Sequence, residues 1–213
     1  MSNTAKDGSG TSLFPLVDSD AHFQVDVLSI TAGDNRIGIV RPDMKEVRVS
    51  KAIDASIGAY TAGDMVNDDD CCTTAVPWQI AGAANAVGGY GAIWGVRLFN
   101  ETMNQAVQYE IILFNAAPVG SGVIEFTDNT PNVHPHPADM AKHIDNILLP
   151  ASIARGAAIA TYTKASPSTS GGLPLFYKCA VASTTLYFVL VTRTAYTQVA
   201  TNDIELKFNI EHY

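Results

Sequence analysis

The chain has 213 residues, 47% hydrophobic and 16% charged, with thirteen Lys and Arg against twenty-one Asp and Glu. A formal charge of −8 and a pI near 4.9 exclude a duplex nucleic-acid binder, which needs a basic stripe to neutralise phosphates. Three cysteines, two of them adjacent at Cys71 and Cys72, exclude a disulfide framework and point to assembly in a reducing cytoplasm. A single β domain commonly runs ~200–250 residues. Such a chain buries roughly 70% of its unfolded surface without needing a metal or disulfide staple.

Met1 to Gly10 is polar and lacks the apolar run of a signal peptide. No stretch approaches the ~18 uninterrupted apolar residues of a membrane helix, so no membrane partner is expected. Residues 1–44 combine the polar run Ser2 to Ser12 with the short apolar pieces FPLV, FQVDVLSI and RIGIV. They read as an N-terminal arm with short strands contacting neighbours, and Phe23, Val25 and Val27 alternate as one such strand. Arg41-Pro42-Asp43 then makes a turn.

Residues 45–213 read as one domain of strands separated by turn residues. Glu46 to Ile53 alternates polar and apolar side chains, the pattern of a half-buried strand. Tyr60 to Asp64 is a turn, and Gly88 to Gly91 leads into a strong strand over Ala92 to Phe99. Val107 to Phe114 follows closely, so the two strands are expected to pair as antiparallel neighbours. Pro137 and Asp139 suit the start of a helical turn before Ile144 to Leu149 extends, and Gly156 to Lys164 is a weaker strand. Leu175 to Val181 and Thr185 to Thr192 are separated by three residues and read as a hairpin. Asp203 to Ile210 shows the clearest alternation of all. About eight strands, little helix and loops rich in Gly, Pro and Asn predict an all-β sandwich or jelly roll.

Chemistry is harder to place. His134-Pro135-His136-Pro137-Ala138-Asp139, with His143 nearby, offers imidazoles at alternate positions that a cupin-type metal centre would use. The prolines make the stretch a loop, and the further Glu and fourth ligand of a cupin are not apparent. Asp68-Asp69-Asp70-Cys71-Cys72 supplies three carboxylates but lacks the spaced pattern of a calcium loop, so an exposed acidic loop is expected. No nucleophile elbow or phosphate-binding glycine loop is present. The expectation is therefore no catalytic, cofactor-binding or metal-binding residues and no enzyme activity. Among the aromatic residues Trp78, Trp94, Tyr60 and Tyr90, Trp94 is expected in the core because it alternates with Val96 and Leu98. Trp78, after Pro77, is the candidate exposed ring for a sugar platform. Cys179, in an apolar stretch, is expected to pack as a small hydrophobe.

Several short stretches form an ordered series: Tyr60-Thr61-Ala62-Gly63-Asp64-Met65-Val66, the glycine-rich entry Gly88 to Ala92, and Leu113-Phe114-Asn115-Ala116-Ala117-Pro118. Asp128-Asn129, Ala138-Asp139-Met140-Ala141-Lys142-His143-Ile144, and Ser183 to Leu190 with Ala195-Tyr196-Thr197 complete it. Together they resemble stretches of tailed-bacteriophage virion structural proteins. The resemblance implies a jelly-roll capsid decoration or cement protein on the capsid exterior of the virion. It further implies the major capsid protein as partner and self-association as a homotrimer. The alternative is a tail- or fibre-associated jelly roll that binds host glycan or adaptor proteins. The Asp68–Cys72 and His134–His136 loops depart from the pattern and are expected at partner-specific surface.

Overall fold

Alternation builds the first sheet. In Asp43–Ile53 (β5), Val47 and Ile53 are buried, while Met44, Glu46, Arg48 and Ser50 face solvent. In Asn202–His212 (β16), Ile204, Leu206, Phe208 and Ile210 are all fully buried. Successive side chains point to opposite faces of a strand, so β16 presents one apolar face by sequence alone, while the inward face of β5 combines Val47, Val49 and Ile53 with Lys45 and Lys51. The two strands pair antiparallel over their whole length, from Asn202 opposite Ile53 to His212 opposite Asp43.

The computed structural model describes residues 43–54, 58–68, 76–103, 105–119, 126–153, 160–169, 172–198 and 201–213. It also describes four two-residue strands, Ala5–Lys6 (β1), Ser12–Leu13 (β2), Leu16–Val17 (β3) and Phe23–Gln24 (β4), paired β1 with β2 and β3 with β4. Two compact units divide the chain, Met1–Arg41 and Pro42–Tyr213. Phe23–Gln24 falls on the alternating run expected in the arm; Val25, Val27 and the Arg41-Pro42 turn lie outside the described residues.

The second unit is an all-β sandwich of two five-stranded antiparallel sheets. Besides β5 and β16, its strands are Ala59–Tyr60 (β6), Met65–Val66 (β7), Trp78–Ile80 (β8), Tyr90–Met103 (β9), Tyr109–Phe114 (β10) and His143–Leu148 (β11). Ala160–Ala165 (β12), Leu175–Lys178 (β13), Leu186–Thr192 (β14) and Tyr196–Thr197 (β15) complete the set. The first sheet runs β12-β9-β16-β5, with β13 also on β9; the second runs β11-β10-β14-β7, with β8 also on β14. The small pair β6 and β15 stands apart. The inward residues of both sheets form one core that includes Ile93, Leu98 and Phe208 from the first, and Ile111, Phe188 and Leu190 from the second.

Two expected pairings are corrected. β9 and β10 are not neighbours, because both edges of β9 are occupied, one by β16 and the other by β12 and β13. Nor do β13 and β14 form a hairpin: β14 lies between β10 on one edge and β7 and β8 on the other. In both cases the short connection steps across the sandwich, a gap of ~10 Å between sheets, and does not turn back within one sheet. The helical turn at Pro137–Asp139 is present as a 3-10 turn, and β11 extends after it.

The second sheet is apolar on both faces. All six residues of β10 are buried. Ile111 and Leu113 belong to the central core, whereas Ile112 and Phe114 join Met65, Val189 and Val191 in a separate cluster on the outer face. Residues 126–142 lie over that outer face. Met65 N–H donates to Thr130 O at 2.9 Å, Asn132 N–H to Gly63 O at 2.9 Å, and Asn115 N–H to Lys142 O at 2.9 Å. Phe126 packs on the cluster from above. Among the described residues no helix is long and apolar enough to cross a membrane.

Phe188 has no exposed surface and packs between the rings of Trp78 and Phe208, at 5.5 Å to each. Phe188→Ala should therefore cost about 3–5 kcal/mol, from lost transfer energy plus the cavity left behind. Chemical denaturation of the variant beside the unaltered chain measures it.

Candidate functional site

Which aromatic rings reach solvent is decided by one extra residue in β9. Asn209 of β16 sits opposite Gly95 and Ile210 opposite Ile93, so Trp94 has no partner in the ladder. Such a bulge turns one side chain against the alternation. Ile93 and Val96 both enter the core, and Trp94 is left 38% exposed on the outer face. The expectation that Trp94 packs in the core with Val96 and Leu98 is thus wrong. The expectation for Trp78 fails in the opposite sense. β8 pairs with β14 and directs Trp78 into the core, 1% exposed, with its indole N–H donating to Val66 O at 2.8 Å. Lys51 covers the ring, its ammonium 5.3 Å from the centroid. No sugar platform can use Trp78.

Around Trp94 the outer face of the first sheet carries Tyr90, Phe176 and Tyr213, exposed by 54%, 64% and 61%. Register places them together: Phe176 lies opposite Ala92, and Ala92 lies opposite Glu211. The small Ala92 side chain leaves room above it, and the Phe176 and Tyr213 rings stack with centroids 6.4 Å apart. Glu211 is 8% exposed and anchors two of the aromatics. Its carboxylate accepts the indole N–H of Trp94 and, at 2.8 Å, the hydroxyl of Tyr213. Hydrogen bonding to Glu211 raises the Tyr213 phenol above its ordinary pKa. Lys178 sits over the Tyr90 ring, its ammonium 4.9 Å from the centroid. This is an open, pre-ordered aromatic surface.

The histidines do not converge. His134 is 5% exposed and stacks on Phe126 at 4.9 Å, with rings within 8° of parallel. His136 caps the 3-10 turn, its Nδ1 accepting Ala138 N–H at 3.2 Å. His143 Nε2 lies 2.8 Å from Asn146 Oδ1. Among the described residues no cluster of three or more His, Cys, Asp or Glu is placed to share a metal ion. Asp69 to Cys72 lie outside the described residues; Asp68 is exposed and pairs with Lys51 at 2.7 Å. Cys179 is a free thiol, 1% exposed within the core, as a small hydrophobe would be.

Residues that stood far apart in the sequence motifs meet at the covering segment. The Tyr60 hydroxyl donates to Asp128 Oδ2 at 2.6 Å, and Asp128 Oδ1 accepts Asn67 N–H and Asn129 N–H, each at 2.9 Å. Asp64 closes the preceding turn by accepting Thr61 N–H at 2.6 Å, while Gly63 adopts a φ of +102° that disfavours any side chain. Asp139 has no exposed surface; both its oxygens accept Val119 N–H at 3.0 Å, and Lys142 pairs with it at 2.7 Å. Tyr60 also stacks face to face on Tyr196 at 4.6 Å, with Tyr109 edge-on to Tyr196 at 6.0 Å. Sequence reasoning did not find this buried network. The signal lay in the motifs themselves, whose polar residues recur beside the two ends of the cover.

No protein-family model matches the chain, and no curated protein matches it.

Burial pushes the Asp128 carboxyl up from 3.8 to about 6, the donors from Tyr60, Asn67 and Asn129 offsetting only part of the desolvation. A raised carboxyl pKa means the folded chain holds the proton while the unfolded chain has lost it. The stability contributed by this group is complete below pH ~4 and falls as pH rises through about 6. The linked loss is about 2–3 kcal/mol. Asp128→Asn should flatten that part of the pH profile, as read from denaturant midpoints between pH 4 and 7.

Proposed function

We propose that the chain is a virion structural protein of the capsid-decoration kind, acting by binding and not by catalysis. The observation that carries this reading is the order of strands in the two sheets. β5-β16-β9-β12 faces β8-β14-β10-β11, and the chain changes sheet at most of its connections. That order supports a jelly roll, an architecture used by viral capsid proteins. The motif residues that resemble those of phage virion proteins add to it. Tyr60, Asp64, Asp128 and Asp139 hold the cover on the second sheet, giving the block a closed second face.

Cementing a shell asks for a stiff block and a contact that spans subunit joints. The sandwich supplies the block, and residues 1–41 are the reach toward the neighbouring major capsid protein. A chain that binds the assembled lattice but not free subunits stabilises the lattice by mass action. Three copies around a local threefold, forming a homotrimer, would tie three capsid subunits at once.

Purified full-length chain is expected to bind expanded phage heads and to raise the temperature at which they disrupt. Sedimentation of the chain alone should give the mass of a trimer. Heads that neither retain the chain nor change their disruption temperature would overturn the reading.

A further inference from the structure

The geometry points to the outer aromatic face of the first sheet as a binding site for a neutral saccharide. The rings Trp94, Phe176 and Tyr213, with Tyr90 at the rim, form the platform. This goes beyond capsid decoration, because it uses a face other than the arm that reaches the shell.

Three features of the face support it. First, the rings are open and held. Trp94 and Tyr213 share the buried carboxylate of Glu211, and Tyr213 stacks on Phe176. A ligand meeting rings already held in place loses less side-chain freedom on binding. Second, the rings are amphipathic. An aromatic face presents apolar carbon with a negative quadrupole, which suits the apolar C–H face of a pyranose, and the exposed Lys178 stands at the border for its hydroxyls.

Third, the charges on this face balance. Glu46 bridges Arg97 and, at 2.9 Å, Arg48. Lys178 lies on Tyr90, and Glu211 receives the two aromatic donors. Further along the same face Lys207 pairs with Glu205 at 2.7 Å and covers the Phe99 ring at 4.9 Å. Five basic side chains (Arg48, Arg97, Lys164, Lys178, Lys207) are matched on this face by five acidic ones (Glu46, Glu101, Asp203, Glu205, Glu211). The chain as a whole carries −8. A charged glycan or a basic peptide gains no net attraction from a face whose charges balance, whereas a neutral sugar needs none. The occupant that matches an aromatic surface with no net charge is therefore an uncharged saccharide.

The test uses the full chain and three neutral probes, cello-, malto- and chito-oligosaccharides, with sialylated and sulfated oligosaccharides as charged controls. Binding is read by tryptophan fluorescence, which reports Trp94 because Trp78 is sealed in the core. At least one neutral series should shift the emission and saturate. Phe176→Ala, at an exposed position, should weaken binding by about tenfold or more with the melting temperature unchanged, and Tyr213→Ala, which also removes a donor to Glu211, should weaken it as much. Head binding by the two variants should be unaltered, which separates this inference from the decoration reading. The inference is overturned if no neutral probe binds, if only the charged probes bind, or if both variants bind as the unaltered chain does. Loss of head binding in the variants would also overturn it, since the face would then be the capsid contact.

Discussion

An apolar sheet face cannot be left in water, and the second sheet has two of them. β10 and β14 carry Ile, Leu, Phe and Val on both sides, so packing against the first sheet satisfies only half of their side chains. The outer half, Met65, Ile112, Phe114, Val189 and Val191, is covered by the chain's own segment 126–142. That cover has no regular ladder of its own to hold it. It is fastened by backbone bonds to Gly63, Met65 and Asn115 and by two buried carboxylates, Asp128 and Asp139. Desolvating an aspartate is costly unless it is hydrogen-bonded, and both aspartates meet that demand with backbone N–H donors. The same fastening consumes the residues that looked most reactive in the sequence. Tyr60, His134, His136 and Asp139 are there to hold a lid on a hydrophobic surface.

The first sheet meets the same constraint differently. Its strands alternate, so most of the outer face is polar and cross-paired, with Glu46, Arg97, Glu205 and Lys207 in ion pairs. At the bulge in β9 the alternation shifts, and there Tyr90 and Trp94 come out beside Phe176 and Tyr213. One sheet thus hides its excess apolar surface under a loop, while the other displays a small, ordered part of it. Contiguous exposed apolar surface of this kind marks a place of interaction. It is the part of the molecule best suited to meet a ligand.

The strands themselves were legible, since period-two alternation in β5 and β16 and the continuous apolar runs of β10 and β14 mark them. Their partners were not. Adjacent strands were expected to pair, as β9 with β10 and β13 with β14, but a strand has only two edges and distant strands occupy them. Local sequence does not report that competition. The tryptophans failed for a related reason. Counting by twos from Val96 puts Trp94 inside, and nothing in Ile93-Trp94-Gly95 declares the extra residue apart from the glycine, a residue that often marks a bulge. Trp78 follows a proline, which suggests a loop, yet a three-residue strand is long enough to send it inward. The buried network escaped because Tyr60 and Asp128 are joined only by the fold, although each stood inside a motif that had already drawn notice.

Cryo-electron microscopy of phage heads saturated with the chain tests the account most directly. The account predicts the sandwich on the outer surface of the shell around a threefold position, residues 1–41 reaching between capsid subunits, and the face bearing Trp94, Phe176 and Tyr213 turned to solvent. Heads without added density, or a sandwich seated with that aromatic face against the shell, would contradict it.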